Sequence, residues 1–482
     1  METKINYTDI GVRIGLEIHQ ELSGNKLFCS CISNLQEKNK LVEIYRKIKP
    51  SMGETGDIDL ASLYEQQKNQ EFIYYGYKDE FCLVETDDEP PHEVNEEALK
   101  AALQLASFFR LQIPDELQVM RKIITNGSVT SGFQRSILTG YGTEESYIET
   151  VQGRVKIKDL YLEEESAKII KKEENKTYYS LSRLGIPLIE IGTLPDIKTP
   201  EQAKEAAQQI GMILRSIALT RRGLGTIRQD LNISIKGHPR VELKGFQDLR
   251  SMPKVIDNEI YRQLENLKSK KELKSEVRKV EPDFSSSYLR PMPTSARLYP
   301  ETDIVPIKIT KELLSEIKIP ELITERAVNI EKKYNISPVL AREILKLNIP
   351  FDYYAEKYSI NPNLIAEILI EIPKELKTRF NVDPKKISGK DFEFVFEHLE
   401  SKTINREAVK DILLDIAQGK HIDLNKYKQV DNKEIENKLK EIISKHKGAS
   451  FSALMGEAMK EFRGSVSGQE VMKALKKLLE QK

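Results

Sequence analysis

The chain of 482 residues contains no tryptophan and three cysteines, Cys29, Cys31 and Cys82. An odd handful of cysteines in so long a chain excludes a disulfide framework and fits a reducing compartment. An excess of either charge is missing too, because 75 Lys and Arg balance 75 Asp and Glu. That excludes a uniformly basic nucleic-acid coat, and any contact with RNA or DNA must come from local patches. The tail is one such patch, with 11 basic against 7 acidic residues over 433–482. No apolar run approaches the ~18 residues of a membrane span, and the opening METKINYTDIG lacks the basic-then-apolar layout of a signal peptide. A cytoplasmic protein without membrane association is expected. A GxxxxGK[ST] phosphate loop is also absent, and GLG at 223–225 alone signals a turn. Any ATP would therefore bind without a Walker motif.

What is present is a globular composition, 39% hydrophobic and 31% charged, at a length that fits about three domains. Residues 1–306 read as one mixed α/β body. VRIGLEIHQEL (12–22), RVKIKDLYLE (154–163), IPLIEIGTL (186–194) and LNISIKG (231–237) are β-branched runs bounded by Gly, Asn, Asp and Pro, and are expected to be strands. A helix is expected from Asn95, a good N-cap, and another from Thr199, with Pro200 at its first position and Gln202 completing a capping box. Beyond Pro306 the pattern turns helical and repeats. KYNISPVLAREIL (333–345) and KYSINPNLIAEIL (357–369) match at 8 of 13 positions, and RFNVDP (379–384) opens a degenerate third copy. In each copy Ser337, Asn361 or Asp383 precedes a proline, as at a helix start. Residues 425–447 read as a charged linker helix. After it come two amphipathic helices split by RGSVSG, with Lys473, Lys476 and Lys477 exposed.

Three stretches carry chemistry. In a strand, residues i and i+2 share a face, so Glu17 and His19 of IGLEIHQEL project together while Leu16 and Ile18 go the other way. That arrangement suits a metal, and equally a half-solvated strand. Glu163, Glu164 and Glu165 end a second expected strand. Glu190 interrupts the apolar run IPLIEIG, where a carboxylate needs either a cation partner or a role as ligand. Oxygen donors with one imidazole suit Mg²⁺ better than Zn²⁺, and Mg²⁺ implies a nucleotide. The third stretch, 221–250, alternates charges around glycines, and its Arg222, Arg228, Asp230, Glu242 and Lys244 suit a polyphosphate with metal. Cys29 and Cys31 form a CxC with Cys82 far along the chain. The set is one ligand short of a zinc site unless His92 or a carboxylate completes it, and no zinc is expected.

Taken together, these motifs resemble the B/E family of tRNA-dependent amidotransferase subunits. IGLEIHQELSGNKLFCSC (14–31), YLEEESAK (161–168), SRLGIPLIEIGTLPD (182–196), IRQDLNISI (227–235), VELKGFQDL (241–249) and RLYPETDI (297–304) follow the family's order. SMGETGDIDLASLYEQQK (51–68), LVETDDEPPHEVN (83–95), VMRKIITNGSVTSGFQRS (119–136) and RRGLGTIRQD (221–230) resemble its archaeal E branch rather than its B branch. The resemblance implies an α+β fold: a mixed-sheet cradle (kinase) domain over 1–306, an all-α helical domain over 307–425, and a linker helix with a small helical YqeY-like tail over 426–482. The E branch carries an insertion resembling an aspartyl-tRNA synthetase domain, which this chain lacks near 281–296.

The implied activity is a carbon–nitrogen ligase that uses ATP to phosphorylate the glutamyl group of Glu-tRNA(Gln) and amidates it with ammonia. Glu17, His19, Glu164 and Glu190 would be catalytic. Glu17, His19, Glu163, Glu164 and Glu190 would surround Mg²⁺. Arg222, Arg228, Asp230, Glu242 and Lys244 would meet ATP, and Lys473, Lys476 and Lys477 the tRNA. The chain shows no Ser-Lys amidase signature and no Cys–His pair, so ammonia is expected from elsewhere; the resemblance implies an asparaginase-like amidase partner, GatD, in a heterotetramer of two GatD with two copies of this chain. The alternatives are a B-type protein working with an amidase-signature partner, and a non-catalytic tRNA-binding scaffold.

Overall fold

The computed structural model describes residues 6–33, 35–52, 56–269, 272–293, 298–347, 349–420, 422, 424–427, 432–446, 448–462, 466 and 468–480. The chain folds as two units divided between Leu322 and Ile323.

The first unit is built on a sheet of eleven strands. Along its main path the order is Ser286–Pro291, Glu276–Val280, Val241–Lys244, Ile227–Ser234, Arg13–Glu21, Pro187–Thr193, Gly153–Glu164, Phe133–Tyr141, Val119–Ile123 and Leu298–Pro300, with Tyr147–Thr150 paired to Gly153–Glu164. Pairing is antiparallel except between Val241–Lys244 and Glu276–Val280. The four runs expected as strands from sequence are strands here, the last beginning earlier, at Ile227. One face is apolar. Leu16, Ile18, Ile189, Ile191, Leu231 and Ile233 are buried there against helices Glu96–Phe108, Pro200–Ser216 and Met252–Lys268. Each fully buried aliphatic side chain contributes about 1.5–3 kcal/mol, so this interface holds the sheet against its helices and leaves the other face free for polar groups.

The caps explain why the helices start where they do. Asn95 accepts a hydrogen bond from the Ala98 N–H, and Thr199 accepts one from the Gln202 N–H with Pro200 at N1. Gln202 does not close the expected box on its own cap residue. Its Oε1 accepts from the Lys198 N–H, one residue earlier.

A second sheet, in the order Lys40–Arg46, Glu71–Tyr77, Lys176–Ser180 and Lys168–Lys172, also mixes directions, with the central pair parallel. Its core includes Phe72, Tyr74, Tyr179 and Leu181. Segment 281–296, where the sequence lacks the insertion, contains the edge strand Ser286–Pro291. Residues 294–296 and Arg297 of RLYPETDI lie outside the described residues.

The second unit is helical. Ser337 caps Pro338–Lys346 and Asn361 caps Pro362–Phe380, as the repeat predicts, whereas Asp383 starts only the single 3₁₀ turn Pro384–Lys386. The charged segment expected as a linker forms helix Asn432–Lys445. Its Ile435, Leu439 and Ile443 make a core with Leu454, Ala458 and Phe462 of the next helix region and Val471 and Leu475 of the last helix. Of the RGSVSG turn, residues 463–465 and 467 lie outside the described residues. Among the described residues no helix is long and apolar enough to cross a membrane.

Candidate active site

The polar face of the large sheet lines a cleft of about 1050 Å³ whose other side is formed by residues of the small sheet, including Phe72, Thr177 and Tyr179. Its centre follows from strand register. Glu17 lies between Gly192 and Asp230, and His19 between Glu190 and Arg228. Glu163 lies between Leu188 and Ser136. Paired residues point to the same side of a sheet, so Glu17, His19, Asp230, Glu190 and Glu163, from four strands, converge. Gly192 opposite Glu17 leaves room for a neighbouring carboxylate, because a Cβ there would stand 2.3 Å from Asp159 Oδ1 and force that side chain to move.

His19 is the hinge of the cluster. Its Nε2 is 3.3 Å from Glu190 Oε2 and 3.7 Å from Glu17 Oε1. Donor atoms of Glu17, His19 and Asp230 lie within 4.8 Å of one another, as do those of His19, Glu163 and Glu190. Lys122 anchors the far end, with Nζ 2.6 Å from Glu163 Oε1 and 3.5 Å from Glu190 Oε2. The Ser136 hydroxyl and the Gln134 amide also donate to Glu163, at 2.7 and 3.1 Å. On the other flank Lys244 Nζ is 2.5 Å from both Asp230 and Glu242.

Crowding sets the protonation. Burial and then the charge of Glu190 push Glu17 up to about 7, against the pull of Lys244 and His19. Burial pulls the His19 imidazolium down, but the hydrogen bond and charge of Glu190 outweigh it and hold His19 at about 9. Glu190 itself is raised by burial and lowered more strongly by Lys122 and His19, so it stays well below the usual carboxylate range. Glu163, beside it, is raised by burial and by Glu190. Lys244 is held above its ordinary value because Asp230 and Glu242 outweigh the cost of its burial. The cluster therefore keeps an ionised carboxylate, Glu190, between two cations, His19 and Lys122.

The residues expected from sequence divide accordingly. Glu17, His19, Glu163, Glu190 and Asp230 come together, and Arg228, Glu242 and Lys244 line the same cleft. Glu164 is not brought there. Alternation turns it to the opposite face from Glu163, where it accepts from the Arg135 N–H at 3.0 Å and from Arg135 Nη1 at 3.3 Å. Arg222 is not brought there either: it is exposed and donates to the Arg215 carbonyl at 2.6 Å. Lys473, Lys476 and Lys477 are exposed on the last helix, and Lys477 lies 3.3 Å from Glu436. The sequence reading named Glu165 in its acidic stretch but gave it no role; it lines the cleft with Glu163, and Arg228 engages it. The sequence reading missed Lys122, whose place depends on long-range pairing that no local pattern reveals.

The structure brings Cys82 to Cys29 and Cys31 and adds Glu85, the four donor groups lying within 4.8 Å of one another. The Cys29 thiol donates to Glu85 at 3.0 Å and the Cys82 N–H at 2.8 Å. His92 pairs instead with Glu89 at 3.0 Å. The fourth donor that the sequence lacked is thus supplied by a carboxylate, a donor type that zinc sites accept alongside thiolates.

Fold and site define a two-part protein, an α+β catalytic domain with an acidic, cation-flanked cleft followed by a helical domain. Comparison with known families agrees: the GatB/GatE catalytic domain matches residues 12–315, and a second family described as a GatB domain matches 350–479. The chain belongs to the GatB/GatE family. It is 33% identical to the E subunit of glutamyl-tRNA(Gln) amidotransferase from Methanocaldococcus jannaschii, covering 99% of this chain and 100% of that protein. To the protein of the same name in Archaeoglobus fulgidus it is 33% identical, covering 98% and 99%, and to that of Methanosarcina barkeri 32%, covering 99% of each. The first alignment runs over 637 positions, at least 155 more than the 482 residues of this chain. The relative therefore carries extra sequence that this chain lacks, as an absent insertion domain requires.

Proposed function

We propose that this chain is the synthetic component of a tRNA-dependent amidotransferase that converts Glu-tRNA(Gln) to Gln-tRNA(Gln). The observation that carries the reading is the Glu17–His19–Glu163–Glu190–Asp230 cluster, exposed to a cleft large enough for a nucleotide and an aminoacyl end, in a chain whose relatives bear that name. The donor set fits Mg²⁺: two trios of donors, overlapping at His19, offer four carboxylates and one imidazole to a hard cation. Glu17, His19, Glu163, Glu190 and Asp230 would hold it, and bound there it would neutralise phosphate charge.

The rest of the chemistry belongs to the chain. A carboxylate resists ammonia until one of its oxygens carries a good leaving group. The γ-carboxylate oxygen of the glutamyl group attacks the γ-phosphorus of ATP, the bond to ADP breaks, and an acyl phosphate forms. Ammonia then adds to the carbonyl carbon and inorganic phosphate leaves with its electron pair, giving the amide. Lys122, Arg228 and Lys244 supply fixed positive charge beside these anions, worth more in a partly dry cleft than in water. The departing phosphate takes the proton that ammonia sheds, which balances the step. Ammonia would come from an asparaginase-like amidase, GatD, in a two-plus-two assembly in the cytoplasm, and the lysines of the last helix would contact tRNA phosphates.

The test is amidation by this chain alone, with Glu-tRNA(Gln), MgATP and free ammonium. Gln-tRNA(Gln) formation that needs ATP supports the proposal. Tight tRNA binding with neither product nor ADP would favour the scaffold alternative.

A further inference from the structure

The cleft contains more cations than its carboxylates hold, and the surplus is not spread evenly. Lys122 is engaged by Glu163 and Glu190, Lys244 by Asp230 and Glu242, Arg228 by Glu165, and Lys168 by Glu37. Cations so engaged are poor anchors for a phosphate, because a new anion must displace a carboxylate already in place. Arg240 and Arg290 line the same cleft, yet neither donates a hydrogen bond from its side chain nor lies within 4 Å of a carboxylate among the described residues. Both act on Glu242 through charge alone, helping to hold it below its ordinary value after Lys244 has offset its burial.

Their places in the sheet give direction. Glu242 pairs with Val277, and Val277 with Arg290, so these three residues form one row across three strands. Arg240 stands immediately before the strand that carries Glu242 and Lys244. Strands are about 4.8 Å apart, so the backbone of Arg290 is about 10 Å across from that of Glu242, on the side away from His19. From the acidic cluster, polar groups thus run past Asp230, Lys244 and Glu242, with Val277 between them and Arg290, to two guanidinium groups that no carboxylate among the described residues holds. Guanidinium is the group best shaped to grip phosphate through paired hydrogen bonds.

We infer that Arg240 and Arg290 bind the non-transferred phosphates of the nucleotide, so that ATP lies along this row with its γ-phosphate at the acidic cluster. Arg290 comes from the strand Ser286–Pro291, inside the segment where the insertion is missing. The short bridge is therefore part of the nucleotide site and not merely a connection. The inference rests on the proposed ATP-dependent reaction.

The experiment is calorimetric titration of the full chain with MgATP, MgADP and AMP, for the wild type, R240A, R290A and R290K. Hydrogen bonds to charged groups are worth about tenfold to a hundredfold in affinity. R290A should weaken MgATP and MgADP alike by about that factor, and R240A, whose arginine is exposed, by about threefold to tenfold. AMP, which keeps only one of the two non-transferred phosphates, should lose less affinity than MgADP in either variant, and R290K should recover part of the loss. R250A, at an exposed arginine paired with Asp248 outside the cleft, should match the wild type. Wild-type binding of MgATP with unchanged affinity in R240A and R290A overturns the inference alone, as does a loss seen only for the tRNA substrate. Absence of MgATP binding by the wild type overturns the proposed reaction and this inference with it.

Discussion

Replacing Glu190 with glutamine separates a functional cluster from a stabilising ion network. The substitution keeps shape and removes one buried charge that faces His19 at 3.3 Å and Lys122 at 3.5 Å. At an effective dielectric of about 20, each attraction is worth about 5 kcal/mol before desolvation is counted. Against this stands the cost of holding the ions out of water, several kcal/mol apiece. Glu190 also raises both Glu17 and Glu163, a repulsion that E190Q relieves. Lys122 keeps Glu163 at 2.6 Å as partner, and His19 is free to lose its proton. The opposing contributions nearly cancel, and unfolding in urea should show a loss of no more than about 1 kcal/mol. The ATP-dependent step should fall by about 10²–10³-fold, the cost of removing one fixed electrostatic contact to a developing charge. A stability loss of 3–5 kcal/mol, as expected when a structural buried pair is broken, together with unchanged turnover per folded molecule, would refute this account.

Other outcomes follow from the same geometry. E164Q should cost about 1–3 kcal/mol in chemical unfolding, since the Arg135 N–H loses a charged acceptor, while Mg²⁺ and ATP affinity stay within twofold by calorimetry. Glu301 should give the fold an acid limb: burial alone would raise it, but hydrogen bonds from Arg121, the Asp303 N–H and Arg135 hold it at about 2 against an ordinary 4.5. A depressed folded value means that its stabilisation is present above pH 4.5 and is lost as pH falls from there toward 2, so thermal unfolding of E301Q should flatten over that range. Replacing Lys473, Lys476 and Lys477 with alanine should lower the slope of log K for tRNA against log salt by about 2, less than three full contacts because Lys477 already pairs with Glu436. Filter binding across a salt series measures it.

Much of the cleft was legible because strand periodicity is local. Glu17 and His19 needed only the two-residue repeat to share a face, and Glu190 stood out as a carboxylate inside an apolar run. The same rule, applied to Glu163, Glu164 and Glu165, separates the middle residue from its neighbours; treating the three as one acidic motif obscured that. Arg222 failed for a different reason. It lies in a glycine-bounded loop, where no periodicity fixes the direction of a side chain, and the Arg215 carbonyl captured it. Lys122, and Cys29 and Cys31 with Cys82 and Glu85, reach their partners through contacts far apart in sequence, which residue spacing does not encode. The helix starts were readable from their caps. The charged segment was readable as a helix too, but its packing was not, because its wide charged surface hides a narrow stripe of Ile435, Leu439 and Ile443.

The central claim is that this cleft phosphorylates the glutamyl group carried by tRNA. Single-turnover release of ADP from MgATP, with Glu-tRNA(Gln) compared against the same tRNA uncharged and no ammonia present, tests it most directly. The account predicts ADP in stoichiometric burst with the charged tRNA, almost none with the uncharged one, and loss of the burst in E190Q. ADP released equally with both tRNAs, or a full burst from E190Q, would contradict it.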